Sequence, residues 1–209
     1  QAKRIAWLPS ADNSLIERVG ITLPQDDITH TTLYRQDRLR FLDVNTGSLR
    51  AGDARVVRFD PREGVDRAYI LTRLPEAVLI AQTRQDTFPR GELDVLDVVG
   101  VCPGPSKLEV LPWLNRLVGF VSCFDGRALY ILDLDQGQVL GITKGMSGPF
   151  EIAVDLEREW VFIADFGVST IRVVSLDPLR QCLEAQGDTE CSPRVIASIG
   201  IPQPVEEIN

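Results

Sequence analysis

Apolar residues along this chain arrive in short bursts. The segment GPFEIAVDLEREWVFIADFGVSTIRVVSL, residues 148–176, holds two bursts split by a charged turn and a third after a glycine-containing kink. The bursts run about 4 to 6 residues, are rich in Val, Ile, Phe and Tyr, and are bounded by Asp, Gly, Pro or Asn; an amphipathic helix would instead space its apolar positions by three and four over ten or more residues. Short strands are therefore predicted. TIRVVSL (170–176) and ALYILDL (128–134) alternate as half-buried strands do. Helix is confined to short pieces, the best candidate being PLRQCLEAQ, which Asp177-Pro178 opens because proline is tolerated at the first helical position.

The phrase recurs. Set beside GPSKLEVLPWLNRLVGFVSCFDGRALYILD (104–133), Gly148-Pro149 falls on Gly104-Pro105 and Val154 on Val110. After a turn that reads as two residues longer in the earlier copy, Phe162-Ile163-Ala164-Asp165-Phe166 falls on Phe120-Val121-Ser122-Cys123-Phe124, and Ile171 and Val173 on Leu129 and Ile131. A third copy lies upstream, with Phe59-Asp60 in place of Val154-Asp155, Tyr69-Ile70 in place of Phe162-Ile163, and Val78 and Ile80 in place of Ile171 and Val173. Fainter echoes sit in RIAWLPSADNSLI and LRFLDVNTG. The readings place repeats at 54–100, 101–147 and 148–200, with partial units at 1–53 and 201–209, all within one domain spanning 1–209.

Repeats of about 40 to 50 residues built from three or four short strands indicate an all-β fold, a β-propeller whose blades of about 42 to 50 residues each need a neighbour to cover their faces. Three clear units and two partial ones fit a fragment of a longer chain, a small propeller closed by its terminal strands, or a larger one with segments missing. The reading adopted is part of a seven-bladed propeller.

At 148–174 the residues resemble the YVTN-type repeat of bacterial surface-layer and periplasmic propellers, approximately Pro-x-x-[IV]-A-[VF]-D, a turn, Tyr-Val-x-Asn, then Val-x-Val. NHL repeats are similar. The resemblance covers about residues 54 to 176 and departs from the pattern where the usual Asn is Thr72, Cys123 or Asp165. It implies an architecture more than a chemistry, because such propellers host binding proteins, lactonases and quinone-dependent dehydrogenases.

Charge removes some alternatives. With 22 basic and 30 acidic side chains the net charge is −8, and no basic run could track phosphates, so nucleic acid is not an expected partner. Charged residues or prolines interrupt every apolar window before the roughly 20 residues that span a bilayer, so no membrane span is expected in this chain. Four cysteines fit an oxidising compartment, periplasmic or extracellular, or anchored to the envelope through a segment outside this sequence; buried free thiols in a cytosolic propeller are the alternative. Strands that run antiparallel outward from a channel put the loop entering the first strand beside the loop leaving the second, which predicts a Cys102–Cys123 disulfide. Cys182 and Cys191 flank a short polar excursion and are read as a second pair.

Catalytic motifs are sparse. The only histidine is His30, no Gly-x-Ser-x-Gly elbow, P-loop or dinucleotide fingerprint occurs, and Asp26-Asp27 reads as solvated turn. Neither a metal nor another cofactor is expected; a lactonase would need carboxylates gathered round a metal, for which Glu109, Glu151 and Asp165 are the candidates. On the loop face, Arg73, Lys107, Asp125, Arg127, Glu151 and Asp165 form a candidate binding rim, with Phe124 and Phe166 recurring at one position. Those residues could anchor a partner, or the Phe pair could pack between blades and Asp165 satisfy turn amides. The expected function is a non-catalytic, exported scaffold that binds a protein or cell-envelope component; the alternative is a propeller enzyme, a metal-dependent lactonase or quinone-dependent dehydrogenase.

Overall fold

A computed structural model describes residues 2–10, 15–23, 32–43, 51–83, 92–185 and 192–200. The fold is all-β with one short helix, and the chain divides into two compact units, Gln1–Gly100 and Val101–Asn209.

In the first unit, β1 (Ala2–Pro9), β2 (Leu15–Leu23) and β3 (Thr32–Asp43) form an antiparallel meander, and so do β4 (Gly52–Phe59), β5 (Arg67–Leu74), β6 (Glu76–Gln82) and β7 (Glu92–Gly100). Separate sheets were expected from the repeat boundaries, but β3 pairs with β7 in parallel, Arg40–Asp43 beside Glu92–Val95, and joins both meanders into seven strands ordered β1-β2-β3-β7-β6-β5-β4. Two last strands that would each present unpaired amides and carbonyls satisfy one another instead. The sheet curls until its end strands meet. Trp7 of β1 packs edge-on against Phe59 of β4 with ring centroids 5.4 Å apart, and the Ala54 amide donates to the Ser10 carbonyl at 3.2 Å. Ile16, Leu39, Phe41, Ile70, Leu79, Leu93 and Val95 fill the enclosed core.

The second unit is two four-stranded antiparallel sheets. One is β8 (Pro105–Trp113), β9 (Arg116–Cys123), β10 (Ala128–Asp133) and β11 (Gln138–Lys144); the other is β12 (Pro149–Asp155), β13 (Trp160–Asp165), β14 (Thr170–Ser175) and β15 (Arg194–Ile199). The helix α1 (Asp177–Ala185) stands between β14 and β15. Its Leu179 is buried, and Arg180 bonds Asp177, Glu184 at 3.2 Å and Glu159 at 3.0 Å.

The sheets pack face to face through one core. Val118, Phe120, Leu129 and Ile131 of the first meet Ile152, Val161, Ile163 and Val174 of the second. Unlike faces meet, since Phe120 and Leu129 correspond in the repeat to Phe162 and Ile171, which lie on the other face of β13 and β14. The two extra residues of the earlier copy also sit elsewhere than expected. They lengthen the strands: β8 and β9 run 9 and 8 residues against 7 and 6 for β12 and β13, and close through the pair Leu114-Asn115, with φ of 50° and 60°, rather than through the four-residue turn 156–159. Left-handed backbone at both central positions matches the twist of tight hairpins.

Candidate binding rim

The loop end of the second unit is built twice over on one frame. In each sheet the first strand enters through Gly-Pro, pairs its proline with the last residue of the second strand, Pro105 with Cys123 and Pro149 with Asp165, and then shifts register through a bulge. The next amide closes the frame: Phe124 N–H donates to the Gly104 carbonyl at 2.9 Å, and Phe166 N–H to the Gly148 carbonyl at 2.8 Å. Gly104 holds φ of +62°, and a side chain there would strike the Asp125 carboxylate, so glycine is needed on both counts.

Within this shared frame the latch differs. Cys102 and Cys123 are joined by a disulfide, their Cα atoms 5.8 Å apart. At the corresponding position Asp165 is fully buried; its Oδ1 accepts the amides of Ser147 at 2.9 Å and Gly148 at 2.7 Å, and its Oδ2 accepts Arg172 Nε at 3.0 Å. Arg172 in turn donates to Ser198 Oγ at 2.7 Å, which ties β15 into the network. In the first unit the corresponding Thr72 hydroxyl donates to the Pro75 carbonyl at 2.7 Å, within the β5–β6 hairpin rather than to the strand-entering loop.

Of the rim residues expected in this unit, the structure joins two. Lys107, after the bulge in β8, and Glu151, in the bulge of β12, form an ion pair at 2.5 Å. Beside them the Ser122 hydroxyl donates to the Phe150 carbonyl at 2.6 Å, pinning β9 to β12. Asp125 and Arg127 lie in the β9–β10 turn, Arg127 with φ of 50° and its carbonyl accepting the Met146 amide at 3.2 Å. Asp165 holds the entering loop and does not face solvent. Arg73 belongs to the first unit, opposite Glu76 in the β5–β6 hairpin. Glu109 pairs with Phe120 along β8 and β9. The recurring phenylalanines part company: the Phe124 ring lies against Gly148, where an added Cβ would come within 3.0 Å, whereas Phe166 is 76% exposed. Asp26, Asp27, His30 and Cys191 lie outside the described residues, and with Cys191 the expected Cys182–Cys191 pair.

Sequence reasoning passed over two structural carboxylates, one in each unit. Asp133, buried, accepts Arg116 at 2.8 Å and the amides of Asp135 and Gln136 at 2.9 Å, under a polar recess of about 420 Å³ bordered by Leu114 and Asn115. In the first unit Asp60 accepts Arg62 and, at 2.9 Å, the hydroxyl of the buried Tyr69. Burial by itself raises the Asp60 carboxyl, but the bonds from Arg62 and Tyr69 outweigh it and hold the group below its ordinary 3.8; burial and this same carboxylate push the Tyr69 phenol well above its usual value. The signal in sequence was an Asp closing an apolar burst just before a turn.

No protein-family model and no curated protein matches the chain. Solved structures share its fold at low identity. A functionally unknown protein from Desulfotomaculum acetoxidans matches with TM-score 0.58 and 12% identity over 95% of this chain and 58% of its own. A protein from Lactobacillus plantarum matches with TM-score 0.60 and 12% identity over 99% and 55%. A candidate 6-phosphogluconolactonase from Bacteroides fragilis matches with TM-score 0.54 and 10% identity over 94% and 56%. The chain thus spans a little over half the length of these proteins.

Proposed function

We propose that the four-stranded sheets are blades of a β-propeller with YVTN-type repeats, and that the chain is an exported, non-catalytic scaffold whose loop end binds a protein or cell-envelope component. The observation that carries this reading is the use made of the acidic groups. Asp165 is saturated by two amides and Arg172, and Glu151 is neutralised by Lys107, so two carboxylates that could have gathered a metal instead hold loops and strands in place. A rigid rim of this kind, with Lys107, Glu151, Asp125 and Arg127 around it, suits recognition through surface charge and shape. The Cys102–Cys123 disulfide is in keeping with a periplasmic or extracellular location.

A lactonase is the second reading, favoured by the fold shared with the Bacteroides fragilis protein. Incubating the purified chain with 6-phosphogluconolactone and divalent metals separates the two. The scaffold reading expects hydrolysis no faster than in buffer, and binding to a purified envelope fraction that weakens on Lys107→Glu and recovers with Lys107→Glu/Glu151→Lys. Turnover that disappears on Glu151→Gln would overturn it.

A further inference from the structure

Two corresponding corners of the second unit are finished differently. Each lies where the first hairpin of a sheet meets the exit of its third strand. In β8–β11 the Leu134 amide donates to the Leu117 carbonyl at 2.9 Å, and in β12–β15 the Leu176 amide donates to the Glu159 carbonyl at 2.8 Å, so Asp135 stands where Asp177 stands and Leu117 where Glu159 stands. The chain fills the second corner itself: α1 carries Arg180 back onto Asp177 and, at 3.0 Å, onto Glu159, and Gln181 onto Asp177 at 2.8 Å. In the first, β10 passes to β11 through the short turn 134–137 without a helix, and the corner is the recess of about 420 Å³ lined by Leu114, Asn115, Arg116, Asp133, Asp135 and Gln136.

The lining of that recess is held in place, and its chemistry selects. Asp133 is fixed by Arg116 and two amides, and Asp135 Oδ2 accepts the Leu117 amide at 2.9 Å, which ties the two turns together. Two carboxylates against one guanidinium disfavour an anion. A cation placed like Arg180 loses an acceptor, because Leu117 replaces Glu159, and it meets the Arg116 guanidinium. A metal lacks its ligand set, since no three His, Cys, Asp or Glu side chains gather among the described residues. What remains are the exposed carboxamides of Asn115 and Gln136, which have no hydrogen-bond partner among the described residues, and the Arg116 N–H groups beyond the one given to Asp133. A carboxamide sets a donor beside an acceptor, so each takes a pair of vicinal hydroxyls through two bonds, and the guanidinium donates to a further oxygen. We infer that this corner is a binding site for a neutral saccharide, a pyranose ring bridged between Asn115 and Gln136 with Leu114 against its C–H face. The volume lies in the range of small-molecule sites. The site is separate from the rim and does not depend on what the rim binds.

The test titrates the isotope-labelled chain with glucose, galactose, mannose and N-acetylglucosamine and follows, by NMR, the side-chain amides of Asn115 and Gln136 and the Nε of Arg116. At least one sugar is expected to shift these signals saturably in the millimolar range, as a few hydrogen bonds in a shallow site provide. Asn115→Gly keeps the left-handed backbone; combined with Gln136→Ala it should weaken that sugar about tenfold, with backbone signals away from the two turns unchanged. Gln136→Ala alone should weaken it less. No saturable shift with any of the four sugars overturns the proposal, and so does a shift elsewhere that the double variant leaves intact. Tighter binding of glucose 6-phosphate than of glucose would make the corner an anion site, and tighter binding of N-acetylarginine amide than of every sugar would make it a guanidinium site in the manner of Arg180; either result overturns it. Envelope binding and lactone turnover are read on Lys107 and Glu151 variants, so failure of either account leaves the other measurable.

Discussion

The sheets β8–β11 and β12–β15 repeat one frame and finish it differently. Both enter through Gly-Pro, both bulge after the proline pair, and both close with an amide donated back to the entering glycine. In the first, a covalent bond holds the entering loop to the end of the second strand; in the second, a buried carboxylate does so through two amides and an arginine. The first sheet is also well buried on its central strand, and the second only on one side. The repeat thus specifies a backbone task, and the chemistry that performs it is free to change where the geometry is kept. An Asp at such a position is then a structural residue even though it lies at the loop end where binding residues gather.

The burial difference gives the largest expected effect. Phe120→Ala should cost about 4 kcal/mol, as emptied aromatic sites in cores do, whereas Phe162→Ala at the matching position should cost about 1 kcal/mol, as changes at half-covered sites do. Chemical denaturation of both variants measures the gap, and equal losses would erase the distinction between the two sheets.

The latches come next. Asp165→Ala strands the buried Gly148 amide, the part-buried Ser147 amide and the Arg172 guanidinium, an expected loss of about 3 kcal/mol. Asp165→Asn keeps an acceptor for the amides and should cost less. Removing the bridge with Cys102→Ser/Cys123→Ser releases a loop with a separation of 21 residues, for which chain entropy implies about 3 kcal/mol. Comparable losses would support two chemistries serving one task; a neutral Asp165→Ala would mean that the amides find other acceptors.

The smallest effect compares Asp60 with Asp155, which close equivalent first strands. Both carboxyls are held below 3.8, Asp60 against burial by Arg62 and Tyr69, Asp155 chiefly by Arg158 with a smaller contribution from the Glu157 amide. A depressed folded value stabilises above the unfolded value, so Asp60 contributes fully above about pH 4 and loses that contribution as the pH falls through its folded value. Asp60→Asn should therefore lower stability at neutral pH and flatten its decline in acid. Asp155→Asn, at an exposed pair screened by water, should change the profile less. Thermal unfolding from pH 2 to pH 7 reads both.

These differences divide what was legible in the sequence from what was not. Bursts of β-branched and aromatic residues announced the strands, and Asp177-Pro178 announced α1, because local pattern and capping chemistry decide both. The β3–β7 pairing had no such signal: parallel pairing of strands about 50 residues apart depends on two edges meeting in space. The extra length before β9 was assigned to a turn, and Leu114-Asn115, without the glycine that normally marks a tight hairpin, gives no local sign that the strands run on to it. Asp165 stood in the right column of the repeat, but its partners are the amides of Ser147 and Gly148, 17 and more positions earlier, and no local pattern points to them. Phe124 and Phe166 stood in one column of the repeat and diverged in what covers them.

The central claim is that position 165 does the work of position 123. Transplanting the bridge tests it most directly: Met146 corresponds to Cys102, so Met146→Cys/Asp165→Cys is made and its free thiols are counted against the parent chain under denaturing, non-reducing conditions. The account expects no additional free thiol and a peptide map with residues 146 and 165 cross-linked. Two additional thiols, with the entering loop unbridged, would contradict it.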